Sequence, residues 1–178
     1  FRGDGSQSYL VIAGIHGNEV NAIYTAFLLI KKLLKTRNIP STVTIIPQAN
    51  PPAVRARLRL SPEDGKDLAR SFPGSRGGSI TERIAYIIFE EASQHDNVID
   101  IHNMSLPSIS FCLAHIAHGK SLELALKSGV RYIVESRGIA GTLSTSLVEI
   151  GIPALEIEVG GSGRDIDGSD ANCISDKI

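Results

Sequence analysis

A continuous apolar run over residues 9–13 leads directly into Gly14-Ile15-His16-Gly17-Asn18-Glu19, and a periodic helical segment begins at Val20. An unbroken apolar run of this kind suits a strand buried on both faces, the habit of parallel sheets. The following segment places Val20, Ile23, Phe27, Ile30 and Leu34 at steps of three and four, which predicts one buried stripe of a helix. A strand, a glycine-flanked turn and a helix, in that order, set side chains at the carboxyl edge of a sheet. Ligand sites of open α/β sheets lie at that edge. Taken alone, the His16-x-x-Glu19 pattern is weak: a turn histidine and a glutamate at the helix's positive end would explain it. Other parts of the chain must strengthen it.

Lys31, Lys32 and Lys35 suit the carboxyl end of the first helix, and Asn38-Ile39-Pro40 stops it. A second strand is expected over 43–46, ended by Pro47. Residues 48–78 then show little periodicity and carry Arg55, Arg57, Arg59, Lys66, Arg70 and Arg76, the pattern of a long functional loop. Leu68 and Phe72 imply that this loop is docked, and docked arginines suit bidentate capture of carboxylates. Ser79-Ile80-Thr81-Glu82 fits a capping box that opens a helix through Ile84, Ile87 and Ile88. Strands are expected over 97–101, 110–113 (reaching towards His115), 131–134 and 154–159, with helices over 121–128 and 142–150. Strands alternating with helices define the class: α/β, with a mixed, mostly parallel central sheet and helices on both faces. Residues 1–161 read as one domain and 162–178 as a polar tail, whose Asp165, Asp167, Asp170 and Asp176 lack calcium-loop spacing.

A net charge of −1, from 18 basic and 19 acidic residues, points to neither nucleic acid nor an anionic membrane as partner. The apolar stretches are too short to span a bilayer, and two cysteines, Cys112 and Cys173, give no disulfide framework. With no leader in view, a reducing cytoplasm is the expected compartment, and a chain opening on Phe1 is expected to be a fragment or processed form.

Polar groups of one chemical kind recur at the ends of separate predicted strands. His16 and Glu19 follow the first, His102 follows the strand over 97–101, and Glu158 sits in the last. Two histidines and a glutamate are the protein side of a catalytic zinc site that keeps a position for water. Glu158 stands in an otherwise apolar strand, with Glu156 two residues earlier on the same face. A carboxylate there is costly unless it has a partner or a task, and a general base for a metal-activated water is such a task.

With these residues in place, the chain resembles the zinc carboxypeptidase superfamily, and within it the succinylglutamate desuccinylase/aspartoacylase family. Five segments carry the likeness, in the family's order: Gly14 to Glu19, Asn50-Pro51-Pro52-Ala53, Asp67 to Gly74, Asp100-Ile101-His102 and Glu158-Val159-Gly160-Gly161. The resemblance implies one zinc ion on His16, Glu19 and His102, with Glu158 as general base. It implies further that Arg59, or less readily Arg57, polarises the scissile carbonyl, and that Arg70 grips the substrate carboxylate. Arg57 and Asn103 join Arg70 as candidate substrate-binding residues, and Asp100 is a candidate to orient His102. Where the family has an asparagine, this chain has Ala69, which implies an altered carboxylate clamp or a different substrate. Many members also carry a β-rich domain beyond the catalytic one.

The expected activity is hydrolysis of an N-acyl amino acid or similar small amide. A zinc carboxypeptidase on short peptides and a non-catalytic module on the same fold are its rivals, and a homo-oligomer is compatible with each. The remaining signals have ordinary readings: His95, His115 and His118 as surface or turn residues, Cys112 as a buried hydrophobe, and Arg2-Gly3-Asp4 as a turn. Asn103-Met104-Ser105 adjoins a candidate ligand and is not taken as a glycosylation site. The glycines at 160, 161 and 163 precede no convincing helix, so they are not read as a nucleotide loop.

Overall fold

The computed structural model describes residues 1–116, 118–160 and 168–176. In chain order the elements are β1 (Ser8–Ala13), α1 (Val20–Leu33), β2 (Thr42–Ile46), α2 (Pro51–Ala56), α3 (Ile80–Ala92), β3 (Asn97–Asn103), β4 (Phe111–His115), α4 (Gly119–Lys127), β5 (Ile133–Ser136), α5 (Leu143–Glu149), β6 (Ala154–Val159) and α6 (Gly168–Ser175). Six strands form one sheet in the order β2-β1-β3-β6-β4-β5. The first four run parallel, and β4 joins β6 antiparallel with β5 parallel beside it. The mixed, mostly parallel α/β architecture is therefore observed.

The apolar runs explain the layering. In β1, Leu10 and Ile12 face one core with Ala85, Ile88, Leu143 and Leu147, while Val11 and Ala13 face another with Ala22, Ala26, Leu124 and Leu155. Both sets are removed from water, each large side chain contributing about 1.5–3 kcal/mol. From β1 the chain crosses by α1 to β2 on one side, then returns by α3 to β3 on the other. Right-handed crossovers in opposite directions put these helices on opposite faces. The strand order thus reverses between β1 and β3, and the crevice at their carboxyl ends is a topological switch point.

Four local expectations differ from what forms. The buried face of α1 is Asn21, Ala22, Thr25, Ala26 and Leu29; Phe27 and Leu34 are exposed. Small residues let the helix lie close on the sheet, and the larger Ile23 and Ile30 flank the contact half-buried. Along α3, Ile87 likewise faces water. The aperiodic stretch contains α2 and a turn of 3-10 helix, Leu68–Arg70, because Asn50 caps α2 by accepting from Ala53 N (3.3 Å) and Pro51 occupies its first turn. In the segment expected as a polar tail, α6 packs against α1 and buries Ala171 and Ile174, with Asp176 paired to Lys32. Gly161, Gly163, Asp165 and Asp167 lie outside the described residues. The Glu82 half of the capping box is formed, with Ser79 N donating to Oε2 at 2.8 Å. No helix among the described residues is long and apolar enough to cross a membrane.

The turn after β1 is clamped onto the segment that follows β2. Ala49 N and Asn50 N donate to Ala13 O and Gly14 O at 2.9 and 3.0 Å, and Gly17 N donates to Leu58 O at 2.9 Å. Gly14 adopts φ +74°, and a β-carbon on Gly17 would sit 2.0 Å from the Ala53 backbone. Gly17→Ala must therefore push α2 away from the turn, at a cost of roughly 1–3 kcal/mol. Gly77→Ala, whose added carbon meets nothing within 4 Å, serves as the control. Denaturant unfolding should show the first variant destabilised and the second within about 0.5 kcal/mol of the parent.

Candidate active site

At the switch point the turn after β1, the start of α1 and the end of β3 converge. Glu19 is the residue before α1, yet its side chain makes no capping bond to the helix. Its carboxylate turns inward instead: Oε1 lies 2.6 Å from His16 Nδ1 and Oε2 lies 2.9 Å from His102 Nδ1. Oε2 also accepts from Asn103 N at 3.2 Å. All three side chains are buried, and one ligand atom from each falls within 4.8 Å of the others. Strand β3 runs two residues further than expected, which puts His102 and Asn103 inside the sheet.

Each imidazole is fixed through its other nitrogen. His16 Nε2 is 3.0 Å from Asp67 Oδ1, and His102 Nε2 is 3.1 Å from Asp100 Oδ2. A carboxylate behind a histidine sets its tautomer and aims the free nitrogen, the usual arrangement around metal-ligating imidazoles. The two Nδ1 atoms and the Glu19 carboxylate therefore fit a divalent ion by donor chemistry and by convergence. Asp100 occupies the orienting position expected for it. Asp67 does the same for His16, and sequence reading missed this because the two are 51 residues apart. The available signal was its place at the head of a docked turn, where Ala69 N donates to Oδ1 (2.9 Å) and Leu68 anchors the backbone.

Burial is the largest influence on these groups and opposes every charge, but their partners outweigh it. Hydrogen bonds to the Asp67 and Glu19 carboxylates raise the His16 pKa above 6.5, and Asp100 with Glu19 raises that of His102 further. The two imidazoles bring Glu19 down to about 2. Glu158 behaves oppositely: burial, with Glu19, Glu156 and Asp100 as like-charged neighbours and His102 opposing, lifts it to about 7.

A cleft of about 370 Å³ opens over this group, lined among others by His16, Glu19, Arg59, Arg70, Asn103 and Glu158. Register places Glu158 directly beside His102, and Glu156 beside Asp100, on the same face of the sheet. Glu158 Oε2 is buried without a hydrogen-bond partner among the described residues. Arg59 binds Asp67 Oδ2 through Nε (3.2 Å) and Nη2 (3.1 Å), which holds Nη1 3.7 Å from Glu19 Oε1. Arg70 lines the cleft with Nη1 on Ala69 O at 2.8 Å.

Two candidates differ from expectation. Arg57 is the left-handed residue (φ 55°) that closes α2, and it does not line the cleft. Asn103 lines it, but its amide fastens structure: Oδ1 accepts from Ala22 N at 3.2 Å and Nδ2 donates to Met104 O at 3.2 Å. His95, His115 and His118 are absent from the lining; His95 is mostly enclosed and hydrogen-bonds Thr44 Oγ1 at 2.9 Å. Cys112 is fully buried, as expected.

The family model described as the succinylglutamate desuccinylase/aspartoacylase catalytic domain matches residues 6–173. The chain is 36% identical over 141 residues to the N-alpha-acetyl-L-2,4-diaminobutyric acid deacetylase of Halomonas elongata, covering 75% of this chain and 41% of that protein. Among solved structures, the ectoine utilization protein EutE (DoeB) of Ruegeria pomeroyi, with product bound, superposes with a TM-score of 0.83 at 28% identity. That match covers 96% of this chain and 54% of the other. An aspartoacylase family protein of Mesorhizobium loti gives 0.82 at 28% identity, covering 99% and 57%. The chain thus spans about half the length of these relatives, and over that span sequence and fold agree: it belongs to the succinylglutamate desuccinylase/aspartoacylase family.

Proposed function

We propose that this chain forms the catalytic part of a zinc-dependent amide hydrolase that removes the acyl group from an N-acyl amino acid. The observation that carries the reading is the convergence of His16, Glu19 and His102 within 4.8 Å, in a cleft where Glu158 stands beside His102 in register. The Halomonas elongata relative is named for such a reaction, and its substrate bears a free amine besides the acetylated one.

On this reading His16, Glu19 and His102 hold the ion, which supplies Lewis acidity to the scissile carbonyl and to a water. Glu158 takes a proton from the attacking water on a carboxylate oxygen that no protein donor occupies, then returns it to the departing amine. A pKa near 7 suits both halves of that exchange, and a bound cation would lower it somewhat. Arg59 stabilises the negative charge that develops on the carbonyl oxygen as water adds to the carbon; Asp67 keeps its guanidinium aimed at the cleft, so little reorganisation is needed. Arg70, exposed at the cleft wall, receives the substrate carboxylate.

Amine release from a panel of N-acyl amino acids and short peptides is the direct test, with zinc-loaded protein. Acyl amino acids should turn over, and Glu158→Ala should keep zinc while losing several orders of magnitude in kcat. Arg59→Ala should lose about 10²–10³-fold. Turnover of peptides alone would identify a carboxypeptidase, and near-full activity in Glu158→Ala would remove that residue from the chemistry.

Removal of the metal gives a test that needs no substrate. In ion-free protein, His16 and His102 have folded pKa values above 6.5, so their stabilisation is complete below about 6.5 and lost as pH rises through the folded values. Glu158, raised from 4.5 to about 7, favours its protonated form in the fold, so its ionisation also removes stability over that range. Glu19, lowered to about 2, contributes stability that is lost only at much lower pH. The ion-free fold should therefore weaken from about pH 5 to about pH 8. Zinc displaces the histidine protons, so the rise in Tm on adding zinc should grow across the same window. Scanning fluorimetry of chelated and reloaded protein reads both trends; a zinc effect independent of pH would argue against histidine ligation.

A further inference from the structure

Four carboxylates line the cleft: Glu19, Asp100, Glu156 and Glu158. Three have evident tasks. Glu19 lies between two imidazoles, Asp100 sits behind His102, and Glu158 has the unpartnered oxygen suited to proton transfer. Glu156 has none of these. It stands between Leu155 and Ile157, both fully buried, and among the described residues its hydrogen-bond partner is the Ser144 hydroxyl. No described lysine, arginine or histidine pairs with it, since Arg59 is engaged by Asp67 and Arg70 by Ala69 O. Its cross-strand neighbours are Asp100, another anion, and Leu113. The cleft around it adds Ile139 and Leu143. A half-buried carboxylate with a single neutral donor and apolar walls is an unfavourable arrangement until a cation joins it.

We infer that Glu156 selects the substrate by receiving a protonated second amine on its amino-acid part, so that N-acyl diamino acids are preferred over N-acyl diacids. The inference rests on the deacylase reading of the same cleft. Two residues along β6 place Glu156 roughly 7 Å deeper than Glu158. An amide held at the Glu158 row therefore directs its side chain towards Glu156, with methylenes against Leu113, Ile139 and Leu143 and the ammonium on the carboxylate. The low local dielectric strengthens that pair. A second carboxylate in the same place would meet Glu156 and Asp100 as like charges.

The test compares Nα-acetyl-2,4-diaminobutyrate with its uncharged isostere N-acetylnorvaline and with N-acetylglutamate. Zinc-loaded parent protein should favour the cationic compound by about 10- to 100-fold in kcat/KM over norvaline, with glutamate poorest. Glu156→Gln keeps size and the Ser144 bond but not the charge, and should bring the cationic-to-neutral ratio close to one, whatever it does to absolute rates. Calorimetric binding of the same compounds to Glu158→Ala protein, with and without Glu156→Gln, reads the preference without turnover. A parent ratio near or below one overturns the inference, and so does a ratio that survives Glu156→Gln. Should no compound be hydrolysed, the deacylase reading fails, and the binding ratio alone decides the assignment of Glu156.

Discussion

The Glu19 carboxylate, shared between His16 Nδ1 and His102 Nδ1, is the contact on which the rest of the site depends. It joins two histidines 86 positions apart through one residue, and each imidazole can reach it only in the orientation that Asp67 or Asp100 imposes. Much of the local backbone serves this meeting. The crevice between β1 and β3 exists because the chain reverses direction there. The turn carrying His16 is pressed onto α2 so closely that Gly17 can bear no side chain. Asn103 ties the start of α1 to the end of β3 by accepting from Ala22 N on its side-chain oxygen, while its backbone N–H donates to Glu19 Oε2. Displacing any of these elements would separate the two imidazoles.

Such an arrangement concentrates buried charge in one place. Three carboxylates, Glu19, Asp67 and Asp100, surround two buried imidazoles, and burial penalises every one of their charges. The carboxylates around each imidazole outweigh that penalty and raise both histidine pKa values. Glu158 responds to the same field in the opposite sense: burial and its like-charged neighbours raise it to about 7. Glu19 and Glu158, two carboxylates of one cleft, are thus shifted in opposite directions by their neighbours.

The fold was largely legible in the sequence because continuous apolar runs leave little alternative to a doubly covered sheet, and because turn glycines and prolines separate the elements. The ligand trio was legible for a related reason: polar residues at the ends of separate strands have to meet once the strands are parallel. What stayed hidden depended on long-range geometry. Nothing local distinguishes Arg59 from Arg57, yet one follows a left-handed residue into the cleft and the other is that residue. Asp67 acquires its partner only when the loop docks, and Asn103, expected to bind substrate, becomes a buried fastener when β3 extends by two residues. The stripe on α1 misled because hydrophobicity ranks phenylalanine above alanine, whereas close packing on a sheet selects alanine.

The period of a β-strand also organises how the cleft divides its tasks. Side chains that share a face recur every second residue, so β3 and β6 present two successive rows: Asp100 with Glu156, then His102 with Glu158. The outer row holds the groups proposed for chemistry. The inner row holds an anion that orients His102 and an anion that no cation among the described residues pairs with. A change at Glu156 leaves the ladder hydrogen bonds and the placement of Glu158 intact, because register is fixed by the fully buried Leu155 and Ile157 on the opposite face. The inner row can therefore bear on substrate choice without moving the outer row. In this chain the inner row is acidic, and the inferred cationic preference follows from that charge.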